Sequence, residues 1–216
     1  MKNITLQLLL LLLIIFPQIS HATDKDLSAE QIIKNVQKKL EDVQVIEAEF
    51  SQTFYWSLAE EEEQNSGKIY IGKKDAFRIE TPHQLIVSDG KSVWTLSTIE
   101  KQVIIDYLDP NEGSYLPHHL FVNYHKDYDV ELIGLEVFEN RQCYHITLKS
   151  QTPDVFIQKL DVWVDKKEWL TRKLTYFDAN ENSTTYIINK ITLLTNSNND
   201  LFHYIPDDSI EVVDLR

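Results

Sequence analysis

Three histidines, His118, His119 and His125, stand close enough along the chain to suggest a metal cluster. Adjacent histidines in a strand or loop point apart, however, and no carboxylate lies at a metal-ligand spacing from them, so they read as solvent-exposed loop residues. Nucleophilic chemistry fares no better: there is no G-x-S-x-G elbow, no P-loop and no G-x-G-x-x-G turn. The one thiol, Cys143, neighbours Tyr144, Ile146 and Leu148 in a strand-like pattern, which suits a buried cysteine, whereas a reactive one needs a basic, exposed setting. Asn182-Ser183-Thr184 matches a glycosylation sequon in a turn, a weak three-residue match. The run Glu60-Glu61-Glu62-Glu63 reads as a charge block solvating a hairpin loop between strands ending near Trp56 and beginning near Lys68. A hydrolase using Asp and His on an inner sheet face is an outside alternative. The expectation is therefore no enzyme, no metal and no cofactor.

If the chain does no chemistry, its composition must say what it meets. Its 216 residues are 43% hydrophobic and 25% charged, which excludes a disordered tail, a collagen-like repeat and a polytopic membrane protein. With 34 acidic against 21 basic residues the formal charge is -13, so nucleic acid and an anionic bilayer surface would both repel it. One cysteine cannot form an internal disulfide. Met1-Lys2-Asn3, the apolar run Leu6 to Phe16, Pro17 and Ser20-His21-Ala22 form a secretory signal with cleavage after Ala22. The run falls short of the roughly 20 residues that span a bilayer. No cysteine follows the cleavage site to carry a lipid anchor. Residues 1–22 are thus expected to be a signal peptide, and 23–216 a single domain in an exported compartment.

The elements change period once. Ser28 and Gln31 make a capping box, Leu27 staples onto Ile32, and Ile32, Ile33, Val36, Leu40 and Val43 recur at helical spacing, predicting an amphipathic helix of about four turns. From Val45 the period becomes two: Ile46, Ala48, Phe50, Phe54 and Trp56 share a face, interrupted by Gln52. Further strands are predicted at 68–73, 76–81, 84–88, 92–97, 101–106, 128–135, 142–150, 155–164, 170–177 and 184–194, separated by turn residues. Between 109 and 127 the strand pattern fails, and Tyr115, Leu116, Leu120, Phe121 and Val122 suggest a short helix or apolar flap. So many short antiparallel strands must curl. Helix and flap then either close an ordinary core or act as a lid over a lipid-sized groove, and periodicity leaves both open.

Three stretches bear on that choice. They are Gly67-Lys68-Ile69-Tyr70-Ile71-Gly72-Lys73-Lys74-Asp75-Ala76-Phe77-Arg78-Ile79-Glu80-Thr81-Pro82, then Leu85-Ile86-Val87-Ser88-Asp89-Gly90-Lys91-Ser92-Val93-Trp94 followed by Lys101-Gln102-Val103, and the tail Phe202-His203-Tyr204-Ile205-Pro206 ending Ile210-Glu211-Val212-Val213-Asp214. In this order, behind a signal peptide and an amphipathic helix, they resemble the periplasmic outer-membrane lipoprotein carriers of the LolA family. The resemblance implies a mostly β fold, an open (incomplete) antiparallel β-barrel with a helical lid and an internal apolar cavity. It implies a periplasmic monomer that shelters the acyl chains of lipoproteins, takes them from an inner-membrane lipoprotein-releasing ABC transporter and passes them to an outer-membrane acceptor, without a cofactor. A lipid- or lipopeptide-sensing module of the same fold that regulates a partner protein is the alternative. The cavity lining expected on this basis is Ile46, Phe50, Phe54, Ile69, Ile71, Phe77, Ile79, Leu85, Trp94, Phe156 and Leu160. The lid is expected to use Ile33, Val36 and Leu40 with Leu116, Leu120 and Phe121. Lys73 falls where the family has an arginine that bonds the lid, and Lys74 where it has proline. Lysine lacks the planar fork of arginine, so the latch should be weaker. Arg78 pairs with a carboxylate or serves as the family's Phe-Arg partner.

Overall fold

The structure is a computed structural model that describes residues 27–108, 128–152, 155–196 and 199–216. The predicted signal peptide and the flap residues Leu116, Leu120 and Phe121, with His118, His119 and His125, lie outside the described residues.

The chain enters through α1 (Ala29–Leu40), the only α-helix among the described residues. The Gln31 N–H donates to Ser28 Oγ and the Ser28 N–H donates to Gln31 Oε1, completing the capping box. The helix stops at Leu40, sooner than the apolar spacing suggested, and Val43 is buried from the turn beyond it. Ala29, Ile32, Ile33, Val36 and Leu40 form the buried face.

Among the described residues twelve strands follow: β1 (Val45–Trp56), β2 (Glu61–Ile71), β3 (Ala76–Glu80), β4 (Gln84–Asp89), β5 (Ser92–Ser97), β6 (Gln102–Tyr107), β7 (Tyr128–Phe138), β8 (Arg141–Ser150), β9 (Ile157–Asp165), β10 (Thr171–Asp178), β11 (Ser183–Leu194) and β12 (Glu211–Asp214). They make one sheet in the order β12-β6-β5-β4-β3-β2-β1-β11-β10-β9-β8-β7. Neighbours are antiparallel except β12, which runs parallel to β6. The edge strands β7 and β12 do not pair with each other, so the curled sheet is an open barrel. A bulge where β1 passes from Glu49 to Phe50 against β11 sharpens the local twist.

The glutamate block departs from the expected loop. Glu61, Glu62 and Glu63 are already in β2, paired with Trp56, Tyr55 and Phe54. Only Ser57 to Glu60 remain to turn, with Glu60 at φ 54. Cross-strand pairing with aromatics outweighs the solvation preference of exposed carboxylates.

Register fixes which residues share a face. Ile46 pairs Ile71, and Ile71 pairs Phe77. Ala48 pairs Ile69, Ile69 pairs Ile79, and Ile79 pairs Ile86. On the other side of β1, Ala48 pairs Ile191 and Phe50 pairs Ile188. Leu174, Val162 and Ile146 continue the face through β10, β9 and β8. This is the face that α1 covers: Ile32, Ile33, Val36 and Leu40 pack with Ile146, Leu148, Leu160, Val162 and Leu174.

In β4 to β6 the buried face changes. Arg78 pairs Val87, Val87 pairs Trp94, and Trp94 pairs Ile105, so these residues lie opposite to Phe77 and Ile79. There Val87, Trp94, Leu96, Val103 and Ile105 form a second core, packed by Leu85, Tyr204 and Ile210. The chain after the 3₁₀ turn Asn199–Phe202 is thus a strap on the face away from α1.

Candidate functional site

The floor beneath the C-terminal turn of α1 comes from three strands, β1, β2 and β11, whose inward residues are apolar. Leu40 closes over Ile46, Ala48, Ile69, Ile71, Ile188 and Ile191, leaving a void of about 30 Å³. That is room for one water, and apart from Thr171 its lining is apolar. Beside it, a cleft of about 440 Å³ runs along Glu41, Gln44 and Ile71 to Lys73 and Lys74. Across the two lysines a second cleft, about 420 Å³, reaches Phe202 and His203. The apolar space beneath Leu40 is small, and the two larger clefts beside it bring polar and charged side chains to its rim.

The turn between β2 and β3 sits at this mouth. Lys73 Nζ donates to the Glu41 carbonyl at 3.1 Å, at the C-cap of α1. A cation there meets carbonyls that have no helical partner and opposes the negative end of the helix dipole. Lys74 and Asp75 both have left-handed backbones, φ 55 and 61, a conformation with a steric cost for residues bearing a Cβ. The turn is braced from the β4–β5 connection. Buried Ser88 donates its hydroxyl to the Asp75 carbonyl, and Gly90 lies so close that a Cβ would stand 2.1 Å from the Lys74 carbonyl oxygen. One exposed lysine bond contributes at most about 1 kcal/mol, so this contact is weak while the turn that carries it is firmly held.

Further along β1 the floor turns polar. Gln52 Nε2 donates to the Tyr186 hydroxyl at 3.0 Å, and Phe50 packs edge-on against Tyr186 with ring centroids 5.7 Å apart. Burial pushes the Tyr186 hydroxyl pKa well up, and neighbouring Tyr176 adds to the shift through its charge and a hydrogen bond. Phe54 and Trp56 meet edge to face at 4.3 Å near the hairpin end.

The face of β7 to β10 away from α1 carries a charged network. The His145 ring lies between Glu136 Oε1, 2.8 Å from Nδ1, and Asp161 Oδ1, 3.5 Å from Nε2, and stacks on Trp163. Trp163 Nε1 donates to Glu136 Oε2, and Lys159 donates to Asp161 Oδ2, both at 2.7 Å. Hydrogen bonds from Trp163 and His145 lower the Glu136 pKa. Burial works against ionising Asp161 but is outweighed by hydrogen bonds from Lys159 and Thr147. Among the described residues, no group of three or more His, Cys, Asp or Glu could hold a metal ion. Cys143 is buried on this face, and burial, with Asp165 nearby, pushes its thiol up to about 11.

Comparison with known proteins places this arrangement. The sequence profile of the family described as outer membrane lipoprotein carrier protein LolA matches residues 41–205. This chain belongs to the LolA family. It is 28% identical over 194 residues to an outer-membrane lipoprotein carrier protein of Haemophilus influenzae, covering 88% of this chain and 91% of that one. It is 25% identical over 209 residues to the corresponding Haemophilus ducreyi protein, covering 95% and 94%. A crystal structure of an uncharacterized conserved protein from Thermus thermophilus superposes with a TM-score of 0.58 at 16% identity, covering 86% of this chain and 98% of that one, a likeness of fold.

Of the lining expected from the LolA resemblance, Ile46, Phe50, Phe54, Ile69, Ile71, Phe77, Ile79 and Leu160 share the face that α1 covers. Ile33, Val36 and Leu40 are buried on the helix itself. Leu85 and Trp94 do not belong with them. Register puts both on the opposite face, where Trp94 meets His203 edge-on at 5.3 Å and Leu85 packs into the strap-covered core. The apolar runs of β4 and β5 carry hydrophobic residues on both faces, so alternation alone could not assign them. Phe156 lies outside the strands, just before β9, and is 53% exposed. Ala48, Ile86, Ile188 and Ile191 were missed, although extending the pairing from Phe50 and Ile79 would have found them. Arg78 bonds Glu80 Oε1 at 2.6 Å, the carboxylate pairing expected as one alternative.

Proposed function

We propose that this LolA-family chain is a periplasmic chaperone that shelters the acyl chains of lipoproteins. In this reading it receives cargo from an inner-membrane lipoprotein-releasing ABC transporter and delivers it to an outer-membrane acceptor. It works as a monomer, without catalysis or cofactor, after its signal peptide is removed. The observation that carries the reading is the apolar patch of Ile46, Ala48, Ile69, Ile71, Ile188 and Ile191 beneath the last turn of α1, with a weak polar contact at its edge.

Each methylene withdrawn from water is worth about 0.8 kcal/mol, so an unescorted long chain is unfavourable by on the order of 10 kcal/mol. A carrier must match that and still release. Ile32 and Val36 are fully buried and hold the first turns of α1 to the sheet. Leu40 caps the small void, and Lys73 holds the carbonyl just past it. The moving part is therefore the last turn of α1 rather than the whole helix. Releasing the Lys73 bond lets Leu40 swing away, and an entering chain displaces it from Ile46, Ile71 and Ile188. The void is too small for a chain while Leu40 is down, so cargo supplies its own space and loses it on exit.

Mass spectrometry of lipids and lipoproteins co-purifying with the exported protein, together with depletion in the host, tests this. Bound acylated protein and retention of outer-membrane lipoproteins in the inner membrane are expected. Normal lipoprotein sorting after depletion would overturn the proposal.

A further inference from the structure

The floor beneath α1 breaks its apolar pattern along one line across β1, β11 and β10. Gln52 pairs Tyr186, while Thr184 pairs both Phe54 on β1 and Tyr176 on β10. All of these share the face of Phe50 and Ile188. The Gln52 amide donates to Tyr186, and Tyr186 hydrogen-bonds with Tyr176. Thr184 is fully buried, and its Oγ1 has no hydrogen-bond partner among the described residues. A surface that held hydrocarbon alone would gain nothing from this row, because each polar group loses water on burial and an unpartnered hydroxyl recovers none of it.

Position gives the row a purpose. Ile188, in the lining of the void, lies two residues from Tyr186 on the same face, about 7 Å away along the strand. That is a few carbon–carbon bonds, the distance from the head of an acyl chain to its early methylenes. On the far side, Glu61 and Glu63 stand opposite Trp56 and Phe54 on the same face. A carboxylate or phosphate head would meet these charges, whereas an uncharged carbonyl would not.

We infer that Gln52, Tyr186 and Thr184 form a hydrogen-bonding belt that receives the uncharged ester carbonyls of an O-acylated glyceryl ligand whose chains lie on the floor around Ile188 and Ile46. Thr184 Oγ1 supplies a donor to one carbonyl, and the Gln52–Tyr186 pair orients the other. The belt distinguishes an acyl ester from bare hydrocarbon and from an anionic lipid. It rests on the carrier reading only in assuming that acyl chains occupy the floor.

Two synthetic glyceryl-cysteine lipopeptides of equal chain length, one with ester-linked and one with ether-linked chains, separate the two ideas. Equilibrium binding to the purified full chain should favour the ester by roughly tenfold, the scale of one or two hydrogen bonds. Thr184→Val and Gln52→Leu should each reduce that preference to about twofold while leaving affinity for the ether unchanged. Tyr186→Phe, which keeps the ring packing, provides a second variant if Thr184→Val fails to fold. Equal affinity of the unmodified protein for ester and ether overturns the belt and leaves the carrier reading standing. An ester preference that survives in every variant also overturns it. Binding of neither compound overturns both.

Discussion

The two halves of the sheet bury opposite faces, and they are closed by different means. Over β7 to β10, α1 covers the inner face by side-chain packing, without a single ladder bond, and one lysine ties its last turn. Over β3 to β6 the C-terminal strap covers the outer face, and it is stitched down. β12 pairs along β6, the Leu215 N–H donates to the Ile105 carbonyl, and Arg216 bonds Asp214 and Ser92. Phe202 sits against Gly72 so closely that a Cβ there would lie 2.8 Å from its ring. A cover held by backbone bonds and interlocked rings stays put. A cover held by grease and one cation can yield at its end, which suits the face proposed to take cargo.

The outer faces differ in the complementary sense. Where the strap lies, the sheet is apolar, and behind α1, where no element among the described residues covers it, the sheet is faced by the Glu136–His145–Asp161 network. The sheet thus meets water with paired charges on one half and hides a second core on the other.

Substitutions should separate the two closures. Phe202→Ala is expected to have the largest effect, lowering stability by about 3–5 kcal/mol through loss of a buried ring, with lipopeptide affinity unchanged. Thermal unfolding and titration check the pair of outcomes, and weakened binding at equal stability would blur the division between strap and site. Ile32→Ala should cost about 2–5 kcal/mol by the same argument, because the first turns of α1 are anchored. A loss well under 1 kcal/mol in denaturant unfolding would mean that the whole helix is loose.

Acid should then attack one half first. Burial opposes ionisation of Asp161 and Asp165, but hydrogen bonds outweigh it and both carboxyl pKa values are lowered; Glu136 is lowered by Trp163 and His145. Folded values below unfolded ones give stability that is present above the ordinary carboxylate range and lost as pH falls through the folded values. Below about pH 4, amide exchange in β7 to β9 should therefore quicken before exchange in β5 and β6, while β12, whose Asp214 is lowered to about 2 by Arg216, shares the acid sensitivity of β7 to β9. Simultaneous loosening would argue against separate closures. The smallest effect on stability belongs to Lys73→Ala, at most about 1 kcal/mol, yet the amides of Glu41 and Val43 should exchange faster and lipopeptide should leave sooner. Lys73→Arg should slow release by adding donors to the same carbonyls.

Much of this was legible in the sequence. The capping box, the amphipathic helix and the change to period two at Val45 follow from local chemistry, and the floor residues of β1 to β3 follow from alternation. Glu61 to Glu63 were misplaced because three exposed carboxylates look like loop until Phe54, Tyr55 and Trp56 are recognised as their partners. Leu85 and Trp94 went to the wrong face because β4 and β5 carry apolar residues on both sides, Ile86 against Leu85 and Val87, and Val93 against Trp94, and alternation alone does not say which side faces α1. The polar row through Gln52 was visible only as an interruption. That Tyr186 and Thr184 answer it from a strand more than 130 residues away is a fact of register.

Photo-cross-linking from one face and then the other confronts the proposed site with its alternative. With a photoreactive side chain replacing Ile188 on the floor, or Leu96 beneath the strap, the purified protein would be loaded with acylated lipoprotein and irradiated. Cross-links to the acyl chains from position 188 and none from position 96 are predicted. Cross-links from position 96, with none from 188, would place the cargo on the strap face and contradict the assignment of the floor beneath α1.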